Sequence, residues 1–417
     1  VFDGMDWNST YNAALYKNGE VTYREGRGNG LFIQDYRGTT TDYGFCVTSP
    51  RLSGCKTDVD AQTVLGGDKP ATGGYDPTRG GHEPSAKPAP HIDYLMGLDR
   101  TRPHTVADSA ATATSMTTGV KTYNAAINFD VAGNRLETIA HALQRDRGFA
   151  IGVVTSVPIS HATPGAAYAH NVSRDDYQDI TRDMIGLPSV SHRSDPLPGV
   201  DVLIGCGWGE SKSKSASQGS NFVPGREFYD VEDLRRVSLE EGGQYVVTQR
   251  TPGRSGAEVL SEATQKAIQG GHRLLGVFGA KNGHLPFATA DGRFDPTLDA
   301  RGGNSYTTED ITENPVLADI AVAALDVLER NKNGFWLMVE AGDVDWANHA
   351  NSIDNSIGAV FSGDEAVKAV FDWIESRDAW QKTAVIVTAD HGHYFNLTSP
   401  EAIAEAGKRT RQAAVSP

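Results

Sequence analysis

The apolar run Phe335-Trp336-Leu337-Met338-Val339 leads directly into Glu340-Ala341-Gly342-Asp343-Val344-Asp345-Trp346-Ala347-Asn348-His349. The apolar run is short and rich in residues that favour sheets, which predicts a buried strand. Carboxylates and an imidazole follow at once, as expected where a strand of a parallel sheet ends at a binding site. Asp345 and His349 are four residues apart, so one helical turn would place both on the same face. The stretch therefore predicts an α/β fold with a polar site at the carboxyl edge of its sheet.

Two other parts of the chain repeat this arrangement. Residues 383–388 are predicted to form a strand that leads into Ala389-Asp390-His391-Gly392-His393. Val1-Phe2 precedes Asp3-Gly4, and we interpret it as the end of a buried strand whose first residues are missing. A lone Asp–His pair after a strand is more often a polar loop than a metal site, but three such strand ends favour metal. Mixed Asp and His ligands suit zinc, whereas Asp, Glu and hydroxyl oxygens suit magnesium.

Apolar runs and helical patterns alternate along the chain, which predicts a large, mostly parallel sheet with helices on both faces. The predicted strands are residues 149–155, 201–206, 274–278, 335–339 and 383–388. The predicted helices are residues 136–144, 257–269, 316–330 and 365–374. Ser362 and Asp364 offer capping groups for the last helix. Gly- and Pro-rich stretches at 66–90 and 208–224 indicate loops, and no linker divides the 417 residues, so we predict one large domain with insertions.

The composition argues against several classes of function. Lys and Arg total 38 against 53 Asp and Glu, which gives a formal net charge of -15. This excess repels nucleic acid and anionic membranes at long range, so neither is expected as a partner. The sequence contains no apolar run of about 18 residues that would span a membrane, and its first residues do not resemble a signal peptide. An anionic substrate would need a local cationic centre, such as metal ions and an arginine.

The three cysteines are too few for a disulfide framework. Cys46 and Cys55 could close one short loop in an oxidising compartment. Cys206 belongs to the apolar run Val202-Leu203-Ile204-Gly205-Cys206, which indicates an inert core thiol.

Small residues dominate Asp108-Ser109-Ala110-Ala111-Thr112-Ala113-Thr114-Ser115, which is followed by Thr118-Gly119. Tight packing against a neighbour is the simplest interpretation. The functional interpretation is a serine at a helix N-terminus, where free N–H groups and the helix dipole favour an alkoxide or a phosphate. Serine needs a base or a metal to act as a nucleophile, and the chain has no G-x-S-x-G elbow. Activation by zinc fits the Asp–His segments.

Taken together, these segments resemble the alkaline phosphatase family. The matching motifs, in the family's order, are Asp3-Gly4-Met5, Asp108-Ser109-Ala110-Ala111-Thr112-Ala113, His161-Ala162-Thr163-Pro164, Val339-Glu340 with Asp345 and His349, and Ala389-Asp390-His391. They extend from residue 3 to about residue 393, so the resemblance covers most of the chain. Trp346 after Asp345 and His161 before Thr163 resemble the marine bacterial and animal-type enzymes.

The resemblance implies a phosphate monoester hydrolase that forms a phosphoserine on Ser109, with two zinc ions and one magnesium ion as cofactors. The first zinc would be held by Asp3, Asp390 and His391, and the second by Asp345 and His349. Magnesium would be held by Asp3, Thr163 and Glu340. Arg174 would bind phosphate oxygens. The side chains implied to orient ligands or contact phosphate through water are His161, Trp346 and His393.

The resemblance also implies one catalytic domain over residues 1–417, with insertions near 43–90 and 208–250 and without the extreme N- and C-terminal segments of the family. The family's second zinc takes a third histidine from an H-T-x-E or H-T-G type segment, and no residue here can be assigned that role by motif. His284 is a candidate replacement, although a loop histidine bonded to the backbone is the commoner case. A homodimer in the periplasm or secreted, acting on small phosphate monoesters, is further implied.

Two alternatives remain open at this point. One is a phosphodiesterase or another metal-dependent hydrolase of the same superfamily. The sulfatase signature C-x-P-x-R is missing, and Arg174 favours a doubly charged monoester over a diester. The other alternative is a non-catalytic metal-binding protein, which would lose its fold on chelation without any prior turnover.

Overall fold

The computed structural model describes residues 1–36, 56–66, 76–80, 92–95, 98–99, 101, 106–280, 283–294, 306–393, 397 and 399–415. Cys46 and Cys55 lie outside these residues, as does most of the predicted loop at 66–90.

The strands in the described residues are β1 (Lys56–Asp58), β2 (Thr63–Gly66), β3 (Ala150–Pro158), β4 (Val202–Cys206), β5 (Ser211–Lys212), β6 (Gly225–Arg226), β7 (Tyr245–Gln249), β8 (Arg273–Val277) and β9 (Phe335–Glu340). The helices there are α1 (Trp7–Asn18), α2 (Phe32–Asp35), α3 (Pro77–Gly80), α4 (Ile92–Leu95), α5 (Ser109–Thr118), α6 (Ile139–Arg147), α7 (Ala162–Ala166), α8 (Tyr177–Ile185), α9 (Val231–Val237), α10 (Gly256–Gly270), α11 (Thr308–Thr312), α12 (Leu317–Leu328), α13 (Asp343–His349), α14 (Ile353–Ser376) and α15 (Pro400–Val415). Short 3-10 turns occur at Leu239–Glu241 and Trp380–Lys382.

Five strands form the central sheet in the order β7-β8-β4-β3-β9, and every neighbouring pair is parallel. The predicted α/β fold is therefore confirmed, as are the strands predicted near 149–155, 201–206, 274–278 and 335–339. Strand β7 was not predicted, and it lies inside the predicted 208–250 insertion. The pairs β1–β2 and β5–β6 are small antiparallel sheets apart from the centre.

Both faces of the sheet are buried, and alternate residues of a strand enter opposite cores. In β4, Val202 and Ile204 pack into one apolar cluster while Leu203 packs into the other. Helices α10, α12 and α14 supply the first cluster, and α7 and α8 supply the second. Cys206 is a free, buried thiol whose pKa is raised well above its ordinary value by burial, which agrees with the predicted inert role. This two-sided burial explains why the strands of the sheet read as continuous apolar runs.

The strand predicted at residues 383–388 is wrong. The segment is not part of any described strand, and Ile386 is 84% exposed. The chain reaches the sheet only just beyond it, where Phe2 makes parallel bridges to both Ala341 and Ala389. The apolar pattern predicted a strand, but the described residues provide no neighbouring strand with which this segment could pair.

The long helix α14 begins at Ile353, well before the predicted start at residue 365, and Ser362 and Asp364 lie inside it. Asp364 instead accepts hydrogen bonds from the backbone N–H groups of Phe32 and Ile33, at 3.0 and 2.9 Å. Two glycines hid the helical pattern. A Cβ at Gly358 would lie 2.1 Å from the carbonyl oxygen of Ala288, and one at Gly363 would meet the ring of Phe2. Close packing, not helix termination, requires them.

None of the helices in the described ranges is long and apolar enough to cross a lipid bilayer.

Candidate active site

Three separate parts of the chain meet at the carboxyl edge of the sheet. His391 Nε2 lies 3.2 Å from Asp3 Oδ1, 3.6 Å from Asp345 Oδ1 and 3.8 Å from Asp390 Oδ2. Asp3 follows the Phe2 bridges, Asp345 lies on α13 just after β9, and Asp390 follows the Ala389 bridge. The structure thus brings together the side chains that the sequence placed at three strand ends. We call Asp3, Asp345, Asp390 and His391, together with Ser109, the sheet-edge cluster.

Ser109 is the first residue of α5 and points into this cluster. Its Oγ donates a hydrogen bond to Asp3 Oδ1 at 3.1 Å and also lies 3.1 Å from His391 Nε2. Asp108 caps the helix by accepting the N–H of Ala111 at 3.0 Å. Residues 109–114 of α5 are buried, so tight packing and a serine at the helix N-terminus occur together.

The charge of the sheet-edge cluster is unbalanced. Burial and the charge of Asp3 raise the pKa of Asp390 to about 8. Burial opposes protonation of His391, but the surrounding carboxylates, Asp390 first, raise its pKa to about 10. One imidazole is shared among three carboxylates, which is an arrangement that divalent cations would stabilise.

A fourth carboxylate, Glu340, ends strand β9 and is fully buried. One of its oxygens accepts a hydrogen bond from Thr155 Oγ1, and the other, Oε1, has no hydrogen-bond partner. Burial and the charge of Asp3 raise the pKa of Glu340 well above its ordinary value. Thr163 Oγ1 donates to the second oxygen of Asp3 at 3.4 Å. A buried carboxylate oxygen without a donor fits a cation ligand.

Asp345 is surrounded by histidines. His393 Nε2 lies 2.6 Å from Asp345 Oδ1, whereas His349 Nε2 lies 3.5 Å from the same oxygen, across one turn of α13. The rings of His349 and His393 are 4.5 Å apart at an interplanar angle of 82°. The side chain of His349 is 68% exposed, so it remains open to solvent on one side.

Arg174 is held beside the start of α5. Its Nη1 lies 3.2 Å from Asp108 Oδ2, the oxygen that also accepts the N–H of Ala125 at 2.9 Å. The backbone N–H of Arg174 donates to the carbonyl of Ala125 at 2.8 Å. Asp108 therefore links the serine-bearing helix to the arginine.

His161 and Trp346 border the cluster, with ring centroids 5.6 Å apart. His161 Nδ1 is buried without a hydrogen-bond partner. Burial, followed by the charge of Arg174, lowers the pKa of His161 to about 4, so its imidazole is neutral near pH 7.

Among the described residues, His284 is not part of a group of three potential metal ligands, and its ring contacts side chains where a bond to the backbone was expected. The ring is fully buried, with Nδ1 2.6 Å from Asp343 Oδ1 and its centroid 5.4 Å from that of Trp346. The third histidine that the resemblance implies for a second zinc ion stays unassigned.

Sequence reasoning missed residues that orient the cluster through hydrogen bonds: Gly4, Asp108, Thr112 and Thr155. Asp108 had a usable signal, because an Asp just before a run of small helix formers is a typical N-cap. Thr155 had none, since a threonine inside a buried strand is common. The N–H of Gly4 donates to Asp390 Oδ1 at 3.0 Å, which depends on contact between the two ends of the chain.

The side chains at the sheet edge provide ligand atoms that are suitable for divalent cations. The ligand atoms of Asp3, Asp390 and His391 lie within 4.8 Å of one another, and so do those of Asp345, His391 and His393. These donors are carboxylates and imidazoles, the mixture that zinc accepts. The unpartnered Glu340 Oε1 and the hydroxyl of Thr163 beside Asp3 are oxygen donors of the type that magnesium prefers.

The family model described as alkaline phosphatase matches residues 79–414. The chain belongs to the alkaline phosphatase family. Alkaline phosphatase 4 of Bacillus subtilis (strain 168) is 29% identical over 306 residues, which cover 71% of this chain and 52% of the relative. The alkaline phosphatase of Escherichia fergusonii is 31% identical over 323 residues, covering 72% of this chain and 61% of the relative. The chain thus spans between half and two thirds of these two alkaline phosphatases.

Two solved alkaline phosphatases share the fold. The cold-active enzyme of the psychrophile Shewanella sp. has a TM-score of 0.51 at 21% identity and covers 94% of this chain and 67% of its own. The Thermus thermophilus enzyme has a TM-score of 0.54 at 22% identity and covers 94% of this chain and 58% of its own. The predicted alkaline-phosphatase-like architecture is confirmed.

Proposed function

We propose that this chain hydrolyses phosphate monoesters, with Ser109 as the nucleophile. The observation that carries the proposal is the position of Ser109 Oγ, 3.1 Å from both Asp3 Oδ1 and His391 Nε2 at the N-terminus of α5. The serine is buried at 3% exposure, so the hydroxyl is directed into the cluster and not into solvent. Family membership supports the same reaction class.

Arg174 and the first turn of α5 are suited to bind the phosphate group. A guanidinium can donate two parallel hydrogen bonds to phosphate oxygens, and the N–H groups of a helix N-terminus favour an anion. Asp108 holds Arg174 beside this turn at 3.2 Å. A monoester dianion has more non-bridging charge for these groups than a diester does.

The reaction proceeds in two displacements. Ser109 Oγ forms a bond to phosphorus while the bond from phosphorus to the ester oxygen breaks, and the alcohol leaves with a proton. A water oxygen then attacks the phosphoserine, the bond from phosphorus to Oγ breaks, and inorganic phosphate leaves as the serine regains its proton. Two in-line displacements give net retention of configuration at phosphorus.

The cofactor set proposed is two zinc ions and one magnesium ion, bound by Asp3, Asp390 and His391, by Asp345 and His349, and by Asp3, Thr163 and Glu340. These ions would neutralise the phosphate oxygens and lower the pKa of the attacking and leaving oxygens. The chain's own contribution is orientation. His393 fixes Asp345 through the 2.6 Å contact, and Thr155 fixes Glu340.

Replacing Ser109 by Ala tests the proposal. We expect turnover of para-nitrophenyl phosphate to fall by at least ~10³-fold and the phosphoenzyme to disappear, because the nucleophile is lost. Bound zinc should stay near the parent level, since Ser109 is not among the proposed ligands. Ser115→Ala on the same helix is the matched control, because Ser115 Oγ only donates to the carbonyl of Ala111 at 2.8 Å. An active Ser109→Ala enzyme would contradict the mechanism.

Two further measurements decide between the alternatives. A bis-aryl phosphate turned over faster than the aryl monophosphate would favour a phosphodiesterase. Loss of the fold on chelation, with no turnover of either ester before it, would favour a structural metal protein.

We also propose a homodimer located in the periplasm or secreted. Family membership and the implied use of small phosphate esters support both statements. Analytical ultracentrifugation at micromolar concentration tests the dimer, and a monomer under those conditions would contradict it.

A further inference from the structure

A second group of histidines and a carboxylate lies outside the sheet-edge cluster. His170 Nδ1 is 3.1 Å from His192 Nε2, and His192 Nε2 is 3.9 Å from Asp183 Oδ2. The three ligand atoms lie within 4.8 Å of one another. Asp183 is on α8, His170 precedes that helix, and His192 is on the loop that follows it. We call these three residues the outlying cluster.

The ring of His170 is oriented by the backbone. Its Nε2–H donates to the carbonyl oxygen of Leu136 at 2.7 Å, so the lone pair of Nδ1 faces His192. Metal-ligating histidines typically donate their other ring N–H to a carbonyl or carboxylate in this way. The half-buried His141 ring stacks on His170 with centroids 5.1 Å apart.

Asp183 is fixed just as firmly. Its Oδ1 accepts the hydroxyl of Ser189 at 2.5 Å, and its Oδ2 accepts the backbone N–H of His170 at 2.9 Å. Asp183 is completely buried, and among the residues that the structure describes no Lys or Arg forms an ion pair with it. A buried carboxylate without a cationic partner is costly, and a bound cation removes that cost.

The guanidinium of Arg135 lies beside the ring of His192. Arg135 Nη1 is within hydrogen-bonding distance of both ring nitrogens, 3.1 Å from Nδ1 and 3.5 Å from Nε2. Arg135 is exposed and also donates to the carbonyl of Ser191 at 2.8 Å. Its charge would nevertheless weaken the binding of a cation, and this gives a test.

We propose that His170 Nδ1, His192 Nε2 and Asp183 Oδ2 bind one divalent transition-metal ion, with zinc as the reference ion and water in the remaining position. Zinc–nitrogen bonds are about 2.0–2.1 Å long, so two nitrogens 3.1 Å apart can bind the same ion. Two imidazoles and one carboxylate form a common protein ligand set for zinc. The assignment of these ligands does not rest on the proposed hydrolase activity, because His170, Asp183 and His192 lie outside the sheet-edge cluster.

The pKa values of the two histidines agree with a role as metal ligands. Burial, followed by the charge of Arg135, lowers the pKa of His192 to about 4, and burial lowers that of His170 well below its ordinary value. Burial raises the pKa of Asp183 to about 7. Both imidazoles are therefore neutral and able to bind a metal, while the carboxylate gains most from a cation.

The bound ion would join two segments that flank α8. His170 begins the run His170-Asn171-Val172-Ser173-Arg174, and His192 lies on the loop after the helix. The side chain of His192 is 9% exposed. The site would therefore stabilise the segment that carries Arg174.

His192→Ala in the holoenzyme tests the site. After loading with zinc and magnesium and removal of excess metal by gel filtration, mass spectrometry should find one zinc fewer per chain than in the parent protein. His272→Ala, which removes another half-buried histidine, should keep the parent zinc content. Equal zinc in the parent and His192→Ala proteins would overturn the proposal, as would the same loss in His272→Ala. Any difference is independent of turnover, so it remains informative if the hydrolase proposal fails.

Two further variants distinguish the loss of a metal ligand from a loss of the native fold. Arg135→Ala removes an exposed charge and should tighten zinc binding by ~10-fold in calorimetric titration, because the guanidinium beside the His192 nitrogens is gone. Asp183→Asn keeps the size of the side chain and should weaken binding by ~10-fold or more. Unchanged affinity in both variants, with circular dichroism showing a native fold, would overturn the assignment.

Discussion

The sheet-edge cluster and the outlying cluster use the same side-chain types in opposite electrostatic surroundings. At the sheet edge, His391 faces three carboxylates, which raise the pKa of its imidazole to about 10. In the outlying cluster, burial and Arg135 lower the pKa of His192 to about 4. The number of carboxylates around a histidine therefore decides whether its imidazole is protonated or neutral.

The hydroxyl groups also differ. At the sheet edge, Ser109 Oγ lies in the centre of the cluster, 3.1 Å from two potential ligands. In the outlying cluster, the hydroxyl of Ser189 donates to Asp183 and also accepts the N–H of His192. These differences support the proposed nucleophile at the sheet edge and the proposed structural metal site beside α8.

Asp3→Asn should produce the largest effect, since Asp3 contacts Ser109, Thr163 and His391 at once. We expect para-nitrophenyl phosphate turnover to fall by ~10³-fold or more and bound metal at the sheet edge to be lost, because a shared anionic ligand becomes neutral. Metal analysis and steady-state kinetics measure both. The single zinc of the outlying cluster should remain. Loss of that zinc as well would show that the clusters are not independent.

Arg174→Lys should have an intermediate effect. Lysine cannot replace the paired hydrogen bonds of the guanidinium, so kcat/KM for an aryl phosphate should fall by ~10²-fold. Arg135→Lys, beside the outlying cluster, is the matched control and should leave kcat/KM within about twofold of the parent value, since Arg135 is exposed and contacts Ser191 and His192, which the proposed hydrolase mechanism does not use. Equal losses in the two variants would remove the functional distinction between the clusters.

Asp176→Asn should have the smallest effect of the three substitutions. We expect it to change the melting temperature of the protein. Asp176 precedes α8 without any histidine partner, and burial and the charge of Asp179 raise its pKa to about 8. A raised carboxyl pKa costs stability as the pH rises from the unfolded value near 4 to about 8, because the buried group must ionise. The Asn variant should therefore melt ~2 °C or more above the parent at pH 9 and close to it at pH 5. Calorimetry at both pH values measures this difference, and a benefit only at pH 5 would contradict the assigned shift.

Much of the sheet-edge cluster could be assembled from the sequence, because its residues follow motifs that are local in the sequence. Asp390-His391 and Asp345 with His349 each lie within a few residues, and Ser109 occupies a recognisable helix start. The outlying cluster was not predicted, since His170, Asp183 and His192 are separated by a helix and a loop. Only the fold of that segment shows that their ligand atoms meet.

The errors in the predicted fold also arise from contacts between residues that are distant in the sequence. Residues 383–388 carry a strand pattern but no described strand partner, and Gly358 and Gly363 obscured the first half of α14 because they accommodate Ala288 and Phe2. Strand β7, whose Tyr245–Gln249 sequence is short, is identified by its pairing with β8.

The sequence by itself determined the alternation of buried strands and helices, the polar residues at the strand ends, and the serine at the start of α5. Periodicity and short motifs carry that information, because backbone geometry within one element depends on near neighbours. The tertiary structure alone decided which carboxylates share His391, why Glu340 Oε1 lacks a donor, and how the outlying cluster assembles. Those features depend on burial and on contacts between distant residues, and both arise only when the sheet and its helices pack together.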